Sequence, residues 1–169
     1  RRAARARRDR TLCEQHMRAG VTIVDPATTY LEPDLIIGAD SVVYPNTVIG
    51  GSTVIGARVT VGPNSRISNA TIGDGVQIME SVVLDSHVAA HVRIGPFAHL
   101  RQGNVVGADV QIGNFVELKN ATLHAGAKAG VTRVAPERLR GEAAGVRVVL
   151  QAGPRALVAV LGAARVGPA

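Results

Sequence analysis

From Ile37 to Leu123 an aliphatic residue returns at almost every sixth position: Ile37, Val43, Ile49, Ile55, Val61, Ile67, Ile72, Ile78, Val83, Val88, Ile94, Leu100, Val106, Ile112, Leu118 and Leu123. Eleven of the fifteen steps are six residues long and four are five. No helix has that period, and an isolated strand repeats every two residues, so the spacing signals stacked repeats. A hexapeptide suits a short strand that turns a corner before the next. Three such strands close a triangular coil of about eighteen residues, and stacked coils pair sideways at about 4.8 Å to make each face a parallel sheet. The recurring Ile and Val then fill the axis. Residues with access to positive φ, Gly and Asn above all, turn the corners, as in "VYPNTV" (43–48) and "VGPNSR" (61–66). The pattern predicts an all-β chain, a parallel β-helix of about five coils. A sandwich of short strands would not hold one spacing through fifteen steps. The period leaves the handedness open, although parallel crossovers are generally right-handed.

The flanks differ from this body. Residues 1–20, "RRAARARRDRTLCEQHMRAG", have high helix propensity. Leu12, His16 and Ala19 share one helical face, and Gly20 is placed as the C-terminal stop. This arm is read as a solvated helix, with a basic arm for acidic partners as the second reading. "GVTIVDPATTY" (20–30) opens the β region, with Tyr30 and Leu31 expected to cover the open end of the first coil. The domain reading is therefore a helical arm over 1–20, a hexapeptide β-helix over 21–129 and an unmatched tail over 130–169. From Gly130 onward no Ile, Asn, Asp, Lys, Phe or Tyr occurs. Within that tail "ALVAVLGAA" (156–164) suits either a short apolar helix or unstructured chain.

Charge sharpens the division. The net charge of +6 suggests nucleic acid, but residues 1–10 hold six arginines and one aspartate, and residues 130–169 hold six arginines and two glutamates. The body between them is net acidic by three charges, so the phosphate-neutralising patch that nucleic-acid binding requires is not on it. Aromatics make up only 2% of the chain and Trp is absent, which fits a thin prism lined with aliphatics. The one cysteine, Cys13, excludes an internal disulfide and suits a reducing cytoplasm. No apolar run is long enough to span a membrane, and the Arg-rich start lacks the apolar core of a secretory signal.

Candidate chemistry lies where the repeat departs from small corner residues. "IGPFAHLRQG" (94–103) carries Phe97, His99 and Arg101, and "IGNFVELKNATL" (112–123) carries Phe115, Glu117 and Lys119. Arg101 and Lys119 are eighteen residues apart, one coil, so they are expected to stack on one face. Two stacked cations repel unless an anion lies between or beside them. They read as a phosphate site or as a surface pair relieved by Glu117. His16, His87, His91, His99 and His124 raise a zinc reading. It needs three imidazoles on one metal, and His87 and His91 are four apart outside any helix, so no metal site is assigned.

By "HMRAGVTIVDP" (16–26) and the two strings above, residues 11–130 resemble a bacterial family, the bifunctional glucosamine-1-phosphate acetyltransferase / N-acetylglucosamine-1-phosphate uridyltransferases. The resemblance implies a left-handed parallel β-helix, a homotrimer with active sites between prisms, and a cytoplasmic role in making UDP-N-acetylglucosamine, a cell-wall precursor. It implies acetyl-CoA as co-substrate, and Mg only in a uridyltransferase domain that has no counterpart here. It places Arg101 and Lys119 on the phosphorylated sugar, with Glu117 in the same pocket. In the family a His-Leu-x-Tyr string follows twelve residues after that Lys. Its His is the general base that takes a proton from the sugar amine. Here those positions read Val131, Thr132, Arg133 and Val134, so no catalytic residue is assigned. The implied function is a fragment of the acetyltransferase domain, inactive as it stands. The alternatives are a non-catalytic trimeric scaffold that binds sugar phosphate, or a remnant without function. A shifted reading frame would account for such a change inside a motif. Codons GTC-ACN for Val131-Thr132 contain the His codon CAC, although no single shift also restores the Tyr.

Overall fold

The computed structural model describes residues 2–132 and 147–151. After one helix, α1 (Arg2–Arg18), the chain winds as a triangular prism of three parallel sheets. The first face stacks Thr22–Ile23, Val42–Val43, Thr60–Val61, Gln77–Ile78, Arg93–Ile94, Gln111–Ile112 and Lys128–Thr132. The second stacks Tyr30–Leu31, Val48–Gly50, Arg66–Ser68, Val82–Leu84, His99–Leu100 and Glu117–Leu118. The third stacks Ile36–Ile37, Val54–Ile55, Thr71–Ile72, Ser86–Val88, Asn104–Val106 and Thr122–Leu123. Six coils are complete and Lys128–Thr132 opens a seventh. The count exceeds the predicted five because Ile23 and Leu31, which precede the periodic series, complete a first coil with Ile37.

All sixteen residues of the hexapeptide series are buried along the axis. The two-residue strands explain the period: the first residue faces outward, the second inward, and the chain then turns. The five-residue steps are absorbed at the corners, so the inward rows stay in line. Ile49 pairs with Ile67 eighteen residues on, and Ile78 with Ile94 only sixteen on. The period did not mark a second set of inward residues, which fills the prism's edges. One edge carries Val59, Val76, Val92 and Val110, and another carries Thr47, Ser65 and Ser81, all buried. Among the described residues no buried side-chain polar atom lacks a partner. Several glycines are steric necessities of this stacking. A Cβ on Gly38 would lie 2.5 Å from the backbone carbon of Gly56 in the next coil.

The N-terminal end differs from expectation. Leu31 is an inward rung of the second face and Tyr30 points outward, so neither lids the prism. The lid is the end of α1, which packs against Thr22–Ile23 and Tyr30–Leu31. Cys13 is fully buried within the core and Leu12 packs against it, so the end of this helix is solvated on one side only. Covering the end removes apolar surface and strand edges from water. The helix stops where the sequence placed the stop. Gly20 sits at φ +92°, its N–H donates to the Met17 carbonyl at 3.1 Å, and the Val21 N–H donates to the His16 carbonyl at 3.1 Å. This paired closure satisfies two carbonyls of the last turn.

At the other end, Arg147–Gln151 runs antiparallel to Lys128–Thr132, with Val148 opposite Val131. This strand lies within a tail expected to be irregular. The segment 156–164 lies outside the described residues.

Candidate functional site

The second face of the fifth and sixth coils carries two outward rows in register. His99 pairs with Glu117 and Leu100 with Leu118. His99 and Glu117 face outward from these strands, with Phe97 and Phe115 at the corners before them and Arg101 and Lys119 directly after them. All six are exposed. The N–H of Arg101 donates to the Leu118 carbonyl at 2.8 Å, so Arg101 and Lys119 follow equivalent strands on adjacent coils. The expected juxtaposition of the two cations is present in the backbone. In the side chains, Arg101 turns to Glu117, with Nη1 3.0 Å from Oε1. Among the described residues no carboxylate lies within 4 Å of the Lys119 ammonium. The patch therefore has a paired cation and an unpaired one side by side, both open to solvent. Exposed ion pairs of this kind add little to stability, and the guanidinium stays available to an oxyanion.

Phe97 and Phe115 occupy the other end of the rows. Both have positive φ, +59° and +56°, and their rings stack at 5.5 Å between centroids with 19° between planes. The same corner in earlier coils carries Asn46 and Asn64 at +58° and +55°. Asn tolerates this conformation, whereas a bulky residue there is an outlier.

The histidines do not converge. His87 stands on the third face and His91 at a corner with φ +59°. Among the described residues no three His, Cys, Asp or Glu side chains are grouped to hold a metal. Sequence reasoning overlooked Asn104, which is fully buried beneath the turns carrying Arg101 and Lys119. A polar residue at an inward corner position was its only sequence signal, and the hydroxyl residues at similar positions masked it.

A prism of hexapeptide coils places the chain in the class of hexapeptide-repeat β-helix proteins. Two solved structures share the fold. The acetyltransferase domain of PglB from Neisseria gonorrhoeae, in complex with acetyl coenzyme A, has a TM-score of 0.59 at 22% identity, covering 74% of this chain and 63% of that one. AntD, an N-acyltransferase from Bacillus cereus in complex with dTDP-4-amino-4,6-dideoxyglucose and coenzyme A, has a TM-score of 0.54 at 13% identity, covering 88% of each chain.

The chain belongs to the GMPPB C-terminal domain family, whose model matches residues 31–131. It is similar to proteins called bifunctional protein GlmU: 53% identical over 116 residues to that of an Exiguobacterium species, and 50% identical over 121 residues to that of Acetivibrio thermocellus. These matches cover 69% and 72% of this chain and 26% of each relative, so the chain spans about a quarter of the length of the curated relatives it matches. The resemblance to the bifunctional GlmU proteins is thus a partial one, to part of the acetyltransferase domain.

Proposed function

We propose that this chain supplies the sugar-phosphate-binding part of an acetyltransferase β-helix from a GlmU-type enzyme, with Arg101 and Lys119 holding the phosphate of glucosamine-1-phosphate. The observation that carries the reading is the register of Arg101 and Lys119 on adjacent coils. Backbones about 4.8 Å apart on adjacent coils put both side chains within reach of one phosphate. Without ligand, Glu117 holds Arg101 over the face. A bound dianion takes that guanidinium and frees the Glu117 carboxylate to accept hydrogen bonds from sugar hydroxyls or amine. The full reaction of the family-type enzyme is acetyl transfer from acetyl-CoA to the sugar amine, followed by uridylylation of the product, in a cytoplasmic homotrimer. This chain alone is proposed to bind the sugar phosphate with little or no acetyl transfer. Val131 stands where the resemblance implies a general base, and an alkyl side chain cannot accept the amine proton.

Val131 equally favours the second reading, a trimeric prism that binds a sugar phosphate without chemistry. Calorimetric titration with glucosamine-1-phosphate tests what the two readings share. Saturable binding by the parent chain, lost in the Arg101→Ala, Lys119→Ala variant at unchanged melting temperature, supports the site. Equal binding by both proteins rules it out. An acetyl-CoA assay separates the readings: robust turnover by the present chain removes both, and turnover gained only on Val131→His within an intact C-terminal sequence favours the enzyme fragment.

A further inference from the structure

Asn104 is fully buried at the inner edge between the second and third faces. Its amide nitrogen donates to the Arg101 carbonyl at very short range, to the Ser86 hydroxyl oxygen at 3.1 Å and to the Leu118 carbonyl at 3.4 Å. Its amide oxygen accepts the Ala121 N–H at 3.1 Å. The amide orientation follows from this set, because a flip would turn the oxygen onto two carbonyl oxygens and the nitrogen onto an N–H. One side chain thus joins three successive coils. It grips Arg101 by its own carbonyl, and it grips the turn of Lys119 from both sides, at Leu118 and Ala121.

The fold does not call for an amide here. The positions in register with Asn104 on the same edge include Thr53, Ala70, Ser86 and Ala121. Ala70 is just as buried at a corner one residue shorter, and the six-residue corner of the first coil carries the buried Leu35 at this place. Thr53 reaches only its own turn at Gly50 and the next N–H at Ala70. The amide that spans further occurs at the turn bearing the first of the two cations. We infer that Asn104 is a positioning residue, fixing the separation of Arg101 and Lys119 so that one phosphate fits between them. This rests on the sugar-phosphate reading above.

The full chain, with Asn104→Ala and Asn104→Thr variants, is titrated with glucosamine-1-phosphate far below each variant's melting temperature, which is measured alongside. Asn104→Ala is expected to fold, since this edge accepts side chains without polar atoms at Leu35 and Ala70, and to bind about tenfold more weakly. Asn104→Thr restores the bond within the turn, as Thr53 makes it, and is expected to recover part of the loss. Unchanged affinity in folded Asn104→Ala overturns the inference and leaves the phosphate site standing. Failure of Asn104→Ala to fold also overturns it, by making the residue a structural one. No binding by the parent chain, or binding that survives Arg101→Ala with Lys119→Ala, overturns the sugar-phosphate reading and this inference with it.

Discussion

The second and third coils and the fifth and sixth share one backbone and differ in what it displays. At the corner entering the second face, Asn46 and Asn64 turn the chain in the earlier pair, and Phe97 and Phe115 turn it in the later pair at nearly the same φ. The strands that follow show Val48 and Arg66 outward in the earlier pair, and His99 and Glu117 in the later. The interior does not change, since Ile49, Ile67 and Leu100 are all fully buried. The prism tolerates a residue ill suited to its corner where the outward rows carry a charged patch. A solenoid separates the two tasks because stability comes from the axis and neighbouring coils, which leaves the outer rungs free to vary.

If that separation is right, core truncation is the largest effect and is blind to the site. Ile49→Ala in the earlier region and Leu100→Ala in the later one are each expected to cost about 2–5 kcal/mol, read from denaturant midpoints. A much smaller cost for Leu100→Ala would mean that the later coils are not packed like the earlier ones. Exchanging the corners probes the contrast directly. Asn64→Phe is expected to cost about 1–2 kcal/mol, the penalty of a left-handed conformation without a stacking partner. Phe115→Asn relieves the same strain but loses the ring stack, so its net change is expected below about 1 kcal/mol. A neutral Asn64→Phe would show that this corner does not discriminate.

The smallest effect belongs to the helical lid. His16 is half-buried on α1, and burial lowers its pKa below the ordinary value of about 6.5. Between that lowered value and 6.5 the unfolded chain binds more protons than the folded one. Stability is therefore complete above pH 6.5 and declines as pH falls through that window. Hydrogen exchange should show the end of α1 and the first coil loosening on mild acidification, while the strands at 99–100 and 117–118 keep their protection. A His16→Gln variant that loosens to the same degree at the same pH would remove this histidine as the cause.

The fold was legible because the prism writes its geometry into the chain. One inward residue per strand and three strands per coil force the six-residue return of Ile, Val and Leu. The corners favour Gly and Asn, and the stop at Gly20 follows from a φ that side chains resist. The adjacency of Arg101 and Lys119 was legible for the same reason: an eighteen-residue separation puts two residues side by side when a coil is eighteen residues long. Handedness was legible only through resemblance, since a period is identical in either hand.

Other features depended on contacts between residues whose sequence spacing carries no signal. Cys13 and Leu12 form a lid because the first coil begins at Thr22 and presents an apolar end to the helix, which a weakly amphipathic, arginine-rich segment does not announce. The sequence left open whether Glu117 relieves the two cations, and the structure shows it pairing with Arg101. Asn104 reads as one more polar corner residue until its amide is seen against the carbonyls of Arg101 and Leu118. The sequence alone determined the repeat, the inward residue of each strand and the two cations on one face. The tertiary structure decided what covers the end of the prism and what fixes those cations in place, because hydrogen bonds and burial depend on distances between coils that no single repeat encodes.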